Sequence, residues 1–135
     1  MSSEFNSFRH QVAPMLDELA ASANAHDADR HLAAYWRDPA LVFVFNGEII
    51  RGWDALHARQ RQWWGDGRST VIYRYQGEPL YELLREDLGM TTVLIVSSSP
   101  LPDACSTERQ LAFTALWKRQ PEGWRIVWAH ESSMR

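Results

Sequence analysis

The sequence predicts an α+β fold: a cone-shaped, curved, mostly antiparallel mixed sheet packed against three helices from the N-terminal half, with a pocket left between the two layers. Three observations carry this expectation. Apolar residues recur at helical spacing through much of the chain up to Trp64, a hairpin signal at Asn46-Gly47 interrupts them, and from Val71 onward long strand-like runs are joined by short turns.

The elements follow in order. Phe5, Phe8, Val12, Met15, Leu16, Leu19 and Ala23 fall on one face of a first helix. Pro14 would remove a backbone donor inside it, so a kink or a restart is expected there. Asp27 stands at an N-cap position for a second helix, expected from about Ala28 to Trp36 with Leu32, Tyr35 and Trp36 inward, and Pro39 ends it. His26 beside Asp27 reads as part of that cap rather than as a catalytic dyad. LVFVF, the Asn46-Gly47 turn and EIIRG form a hairpin. Trp53 to Trp64 resumes helical spacing and Gly65 to Gly67 stops it. Val71 to Arg85 reads as one long strand with a bulge at Gly77 to Pro79, because proline cannot donate to a ladder and glycine permits the bend. Met90 to Ser99, Arg109 to Gln120 and Trp124 to Ser132 complete the sheet, with turns at Asp87 to Gly89 and Pro121 to Gly123.

Composition bounds the rest. A chain of 135 residues with 45% apolar and 12% aromatic content can bury one substantial core and is too short for two ordinary domains, so a single domain over residues 1–135 is expected. A net charge of −3, with scattered arginines, argues against nucleic-acid binding. Cys105 is the only cysteine and lies in a polar run, which reads as an inert loop thiol. No long apolar run suggests a signal peptide or a membrane span, so a cytoplasmic protein is expected. His10, His31 and His57 lack metal-ligand spacing, and no phosphate loop, nucleophile elbow or dinucleotide turn is present, so no metal and no cofactor is expected.

NAHDADRHLAAYWRDPALVFVFNGEIIRG resembles the opening of the nuclear-transport-factor-2-like superfamily, and GWRIVWAHESS resembles the final strand of its SnoaL-like members. The chain is also similar to the association domain of calcium/calmodulin-dependent protein kinase II. The resemblance implies a conical cavity and a homodimer formed through the outer sheet face. Superfamily members include ketosteroid isomerases, polyketide cyclases, dehydratases, epoxide hydrolases and non-enzymatic assembly domains, so the fold assigns no chemistry. Anchored on Asn24, Asp27 and Asp38, the position similar to the isomerase's general base is Val44 and that of its oxyanion-hole tyrosine is Leu19. Its second acidic donor falls near Thr114 or Ala115, and none of these positions carries the isomerase's group.

The remaining candidates for chemistry are Glu131 and His130. Strict alternation puts Arg125, Val127, Ala129 and Glu131 on one face of the last strand and Trp124, Ile126, Trp128 and His130 on the other, so both candidates reach one cavity only if a bulge intervenes. The association-domain resemblance implies that Arg125 and Glu131 face the cavity. A carboxylate desolvated by aromatic walls could serve as a general acid or base, whereas an ion pair with Arg125 or Arg74 would make it structural. Tyr35, Trp36, Val44, Trp63 and Tyr73 are further candidates to line a ligand. Tyr75, Thr114, Trp117 and Arg125 join them, the seven tryptophans otherwise reading as core or interface. Two functions stay open: a cofactor-independent acid/base enzyme of isomerase, cyclase, dehydratase or hydrolase type acting on a compact apolar substrate, and a non-catalytic ligand-binding or assembly module.

Overall fold

A computed structural model describes residues 2–100 and 106–134, so Cys105 lies outside the described residues. The first helix, α1 (Ser3–Asn24), begins where the Ser2 hydroxyl accepts from the Phe5 amide at 3.0 Å. Phe8, Val12, Leu16, Leu19 and Ala23 form its buried stripe. The helix runs unbroken through Pro14, so the restart allowed at that residue does not occur. Pro14 lies on the exposed side, where the His10 carbonyl that loses its helical donor can meet water.

Asp27 caps α2 (Ala28–Leu32), its carboxylate accepting from the Arg30 amide at 3.1 Å. This helix is shorter than the expected span to Trp36. Its continuation is captured by the sheet: the Trp36 amide donates to the Ile126 carbonyl at 2.8 Å, and the Ile126 amide donates to the Ala34 carbonyl at 2.9 Å. Two backbone groups that a helix would need are thereby committed to strand pairing. His26 donates from Nε2 to the Val71 carbonyl at 2.6 Å, which ties this corner to the approach of the third strand.

The hairpin forms as the Asn46-Gly47 signal predicts. Strands β1 (Val42–Phe45) and β2 (Glu48–Arg51) are joined by residues at φ +47° and +88°, the left-handed pair that such a tight turn needs. Helix α3 (Trp53–Trp63) follows, and its Trp53 indole donates to the Leu32 carbonyl at 3.0 Å, holding it against α2. Strand β3 (Ile72–Arg85) carries the expected irregularity, with its register shifting between Gln76 and Leu80 around Gly77. Strands β4 (Leu88–Pro100), β5 (Ser106–Gln120) and β6 (Gly123–Met134) complete an open sheet of order β2-β1-β6-β5-β4-β3, antiparallel throughout except for the β1–β6 pair. This is the expected α+β cone of helices on a mixed, mostly antiparallel sheet.

One departure in β6 decides which side chains reach the interior. Leu116 of β5 pairs with Trp128, but the next residue, Trp117, pairs with Ile126, so Val127 is an extra residue in β6. Before this bulge Trp124 and Ile126 point into the core; after it, Ala129, Glu131 and Ser133 take the inner face, and Trp128 and His130 are exposed. Arg125 falls on the opposite face from Glu131, contrary to strict alternation.

At the closed end, the core is tight. Phe8 packs edge-on against Trp124 (centroids 4.8 Å apart) and Tyr81 (6.3 Å), while the buried Trp117 indole donates to the Thr91 hydroxyl at 2.9 Å. The Phe8 ring lies directly over Gly89, where a Cβ would come within 2.3 Å of ring carbon Cζ. Gly89→Ala is expected to lower stability by about 1–3 kcal/mol, the usual cost of overpacking a filled core. Thermal denaturation should show Gly89→Ala/Phe8→Leu to be less destabilised than the sum of the single changes; strict additivity would contradict the contact.

Candidate functional site

Between the helices and the inner sheet face lies an open cavity of about 980 Å³. Its apolar lining includes Phe43, Trp63, Ile95, Leu111 and Phe113, while Asn46, Arg74, Ser97, Ser99 and Arg109 stand among its polar lining. The β strands place these groups by alternation: Leu111 and Phe113 on β5, Ile95 and Ser97 on β4, Phe43 and Phe45 on β1.

Glu131 faces this space from β6, opposite Phe113 on one side and Phe45 on the other. Its backbone is pinned, since the Asn46 amide donates to the Glu131 carbonyl at 3.2 Å. The Asn46 side chain bridges to Ser133 twice, donating to its hydroxyl and accepting from its amide, both at 2.9 Å. The residue is half-buried, with the cavity as its open side. Burial alone pushes the Glu131 carboxyl up to about 7. The ion pairs that would have made it structural are absent among the described residues. Arg74 sits 3.7 Å from Glu108, and Arg125 donates to the Trp124 carbonyl at 2.8 Å.

Three tyrosines share the cavity. The Tyr75 hydroxyl donates to the Leu16 carbonyl at 2.5 Å, and that of Tyr73 accepts from the Trp64 indole at 3.0 Å. The Tyr35 hydroxyl has no hydrogen-bond partner among the described residues. Its ionisation is pushed well up by burial and further by the charge of Glu131, so it stays a donor at neutral pH. Glu131 also raises Tyr73, after burial, so both phenols lie within its field.

The other candidates are elsewhere. His130 is exposed on the outer face, paired with Thr114 and Val44, and cannot share the cavity with Glu131. Val44 is on that same outer side, and the Thr114 hydroxyl shares a hydrogen bond with Thr92 at 3.0 Å. Trp117 is wholly buried in the core, Trp36 is held by its backbone to Ile126, and Arg125 is turned away by the bulge. None of these residues lines the cavity.

Among the cavity residues that the sequence reading did not single out are His31 and Gln60. His31 precedes Tyr35 by one helical turn, a spacing that could have placed it on the same face. Its Nδ1 lies 3.0 Å from the Leu19 carbonyl and 3.0 Å from the Ser22 hydroxyl, and burial pushes the ring down to about 4, so it is neutral near pH 7. No group of three or more potential metal ligands occurs among the described residues.

No family model matches the chain, and no curated protein matches it. Solved structures do, over nearly its whole length. A nuclear-transport-factor-2-like protein of unknown function from Shewanella oneidensis is 20% identical, with a TM-score of 0.78 over 91% of this chain and 97% of that one. A candidate dehydratase of the same fold family from Streptomyces avermitilis is 15% identical, with a TM-score of 0.79 over 96% of this chain and 98% of that one. The association domain of the Caenorhabditis elegans calcium/calmodulin-dependent protein kinase II is 13% identical, with a TM-score of 0.78 over 97% and 99%. At these identities the fold is shared: nuclear-transport-factor-2-like, with kinase association domains among its neighbours.

Glu131 and His31 leave opposite marks on stability. A carboxyl raised from 4.5 to about 7 binds more protons folded than unfolded, so its stabilising share is full below about 4.5 and is lost as pH rises through 7. His31, lowered from 6.5 to about 4, acts oppositely: its share is full above 6.5 and is lost as pH falls. Glu131→Gln should therefore gain stability over the wild type progressively from pH 4.5 to 7, by at most about 3 kcal/mol. Urea denaturation across that range tests it, and a stability difference independent of pH would contradict it.

Proposed function

We propose that this chain is a small-molecule pocket protein and a cofactor-independent acid/base enzyme of the isomerase, cyclase, dehydratase or hydrolase type, with Glu131 as its proton-transfer group. One observation carries the reading: an unpaired carboxyl on a rigid strand faces a largely apolar cavity that raises its proton affinity toward neutrality. A base is most useful when its pKa lies near the working pH, and desolvation brings Glu131 there. The Tyr35 phenol would stand as the hydrogen-bond donor for charge that develops on a substrate oxygen when Glu131 removes a proton. The dehydratase description of one neighbour is compatible with this class of reaction. No helix among the described residues is long and apolar enough to cross a membrane, and a cytoplasmic setting suits the proposal.

Deuterium exchange into compact enolisable ketones such as 2-tetralone provides a direct assay. The wild type should accelerate exchange with a rate that rises through about pH 7, following the deprotonated carboxyl, and Glu131→Gln should lower it by about 10²-fold or more. Unchanged exchange in Glu131→Gln would remove Glu131 from the role. No exchange with any ketone tested would favour the alternative, a non-catalytic binding or assembly module.

A second observation supports self-association. Across the outer sheet face, Trp128 (51% exposed), Leu116 and Met90 form one cross-strand row, Leu80 (69% exposed) lies in the next row and Leu94 (42% exposed) in the row beyond it. An apolar surface shared by four strands fits a homodimer formed through this face. Sedimentation should show a dimer that Trp128→Glu converts to monomer, whereas a monomeric wild type at micromolar concentration would contradict the interface.

A further inference from the structure

We propose that His31 is a second ligand contact in the cavity, its bare Nε2 accepting a hydrogen bond from a ligand hydroxyl, so that the cavity selects compact aromatic or alicyclic molecules bearing an alcohol, enol or phenol. This rests on the reading of the cavity as a binding site and adds the chemistry of what binds.

The tautomer of His31 follows from its partners. The Leu19 carbonyl can only accept, so the Nδ1 that lies 3.0 Å from it must carry the proton. The Ser22 hydroxyl agrees: its own proton goes to the Glu18 carbonyl at 2.7 Å, leaving its oxygen free to accept from the same Nδ1 at 3.0 Å. Ser22 and Leu19 lie on α1 and are fully or almost fully buried, so this anchor is rigid. The ring is further held edge-on to Trp64, with centroids 4.9 Å apart, and tilted against Tyr35 at 6.3 Å.

With Nδ1–H committed, Nε2 holds a lone pair. It has no partner among the described residues, yet it is not sealed in the interior, and the residue lines the cavity. Burial keeps the second proton off, so the nitrogen remains an acceptor at neutral pH. Neighbouring Tyr35 supplies a donor. A hydroxyl-bearing ligand answers both, donating to His31 and accepting from Tyr35, while its body meets Phe43 and Trp63. An ether of the same skeleton can still accept from Tyr35 but has nothing to give His31.

The test uses 2-naphthol and 2-methoxynaphthalene as probes, with binding followed by calorimetry or tryptophan fluorescence. Wild type should prefer 2-naphthol by about three- to tenfold, the worth of one net hydrogen bond. In His31→Asn, whose amide can replace the Nδ1–H donor but not the Nε2 acceptor, the preference should fall to near unity. In Glu131→Gln it should persist, because binding rather than proton transfer is read, so a failure of the acid/base reading leaves this outcome unchanged. Any other pattern overturns the proposal; in particular, a preference lost in Glu131→Gln would make the carboxylate the acceptor. Should His31→Asn not fold, ¹⁵N spectra of the wild-type histidines decide. Added 2-naphthol should shift the unprotonated Nε2 of His31 in the direction of hydrogen bonding and leave His130 unmoved, and an unmoved His31 would overturn the assignment.

Discussion

At Val127 the last strand carries one residue more than its neighbour, and the identity of every inward-facing side chain beyond that point depends on it. Ahead of the bulge β6 seals the core with Trp124 and Ile126; beyond it the strand shows Ala129, Glu131 and Ser133 to the cavity. Without the extra residue, a strand that keeps Trp124 and Ile126 in the core would turn Trp128 and His130 inward and Glu131 out. The bulge is held from both sides. Ile126 gives its amide and carbonyl to the Ala34–Trp36 segment, and two residues later Trp128 begins the parallel register with Val42. One strand thereby serves a packed core at one end and an open pocket at the other.

The consequence is electrostatic. A carboxyl at this position loses much of its hydration and gains no cation among the described residues, because Arg74 is engaged with Glu108 and Arg125 lies across the sheet. Proton uptake then relieves the desolvation that an ion pair would otherwise relieve. His31 obeys the same physics with the opposite sign, since its burial favours the neutral ring. Between them these two groups add no charge to the cavity at mildly acidic pH, and Glu131 adds one negative charge as it ionises through about 7. A fold shared with proteins of diverse or unknown roles does not choose a reaction, so these groups must carry the functional case.

Most of the architecture was legible because local chemistry dictates it. Asn46-Gly47 has few structural alternatives, Asp27 offers the carboxylate a helix start needs, and the Gly77 to Pro79 break cannot lie flat in a ladder. What was not legible required knowing a partner in space. The end of α2 was set by Ile126, some ninety residues distant in sequence, which outcompeted a helical continuation. The phase of β6 was hidden because Trp124, Ile126 and Trp128 read as one apolar face, whereas the third of these is the exposed one. The association-domain resemblance put Glu131 and Arg125 together on the cavity side, whereas the bulge separates them and leaves Glu131 alone lining the cavity. His31 was passed over for want of metal-ligand spacing, when its turn-apart relation to Tyr35 was the useful signal. Thr114 and Val44 were candidates through resemblance to positions that lie on the outer face in this chain.

The most direct measurement is the titration of the Glu131 side-chain carbon by ¹³C NMR, with Glu131→Gln identifying the resonance. A midpoint near 7 is predicted, and addition of an apolar cavity ligand should raise it further by displacing the water that remains. A midpoint in the ordinary carboxylate range near 4.5 would mean that the carboxyl is hydrated or paired in solution, and the case for a tuned acid/base group would fall with it.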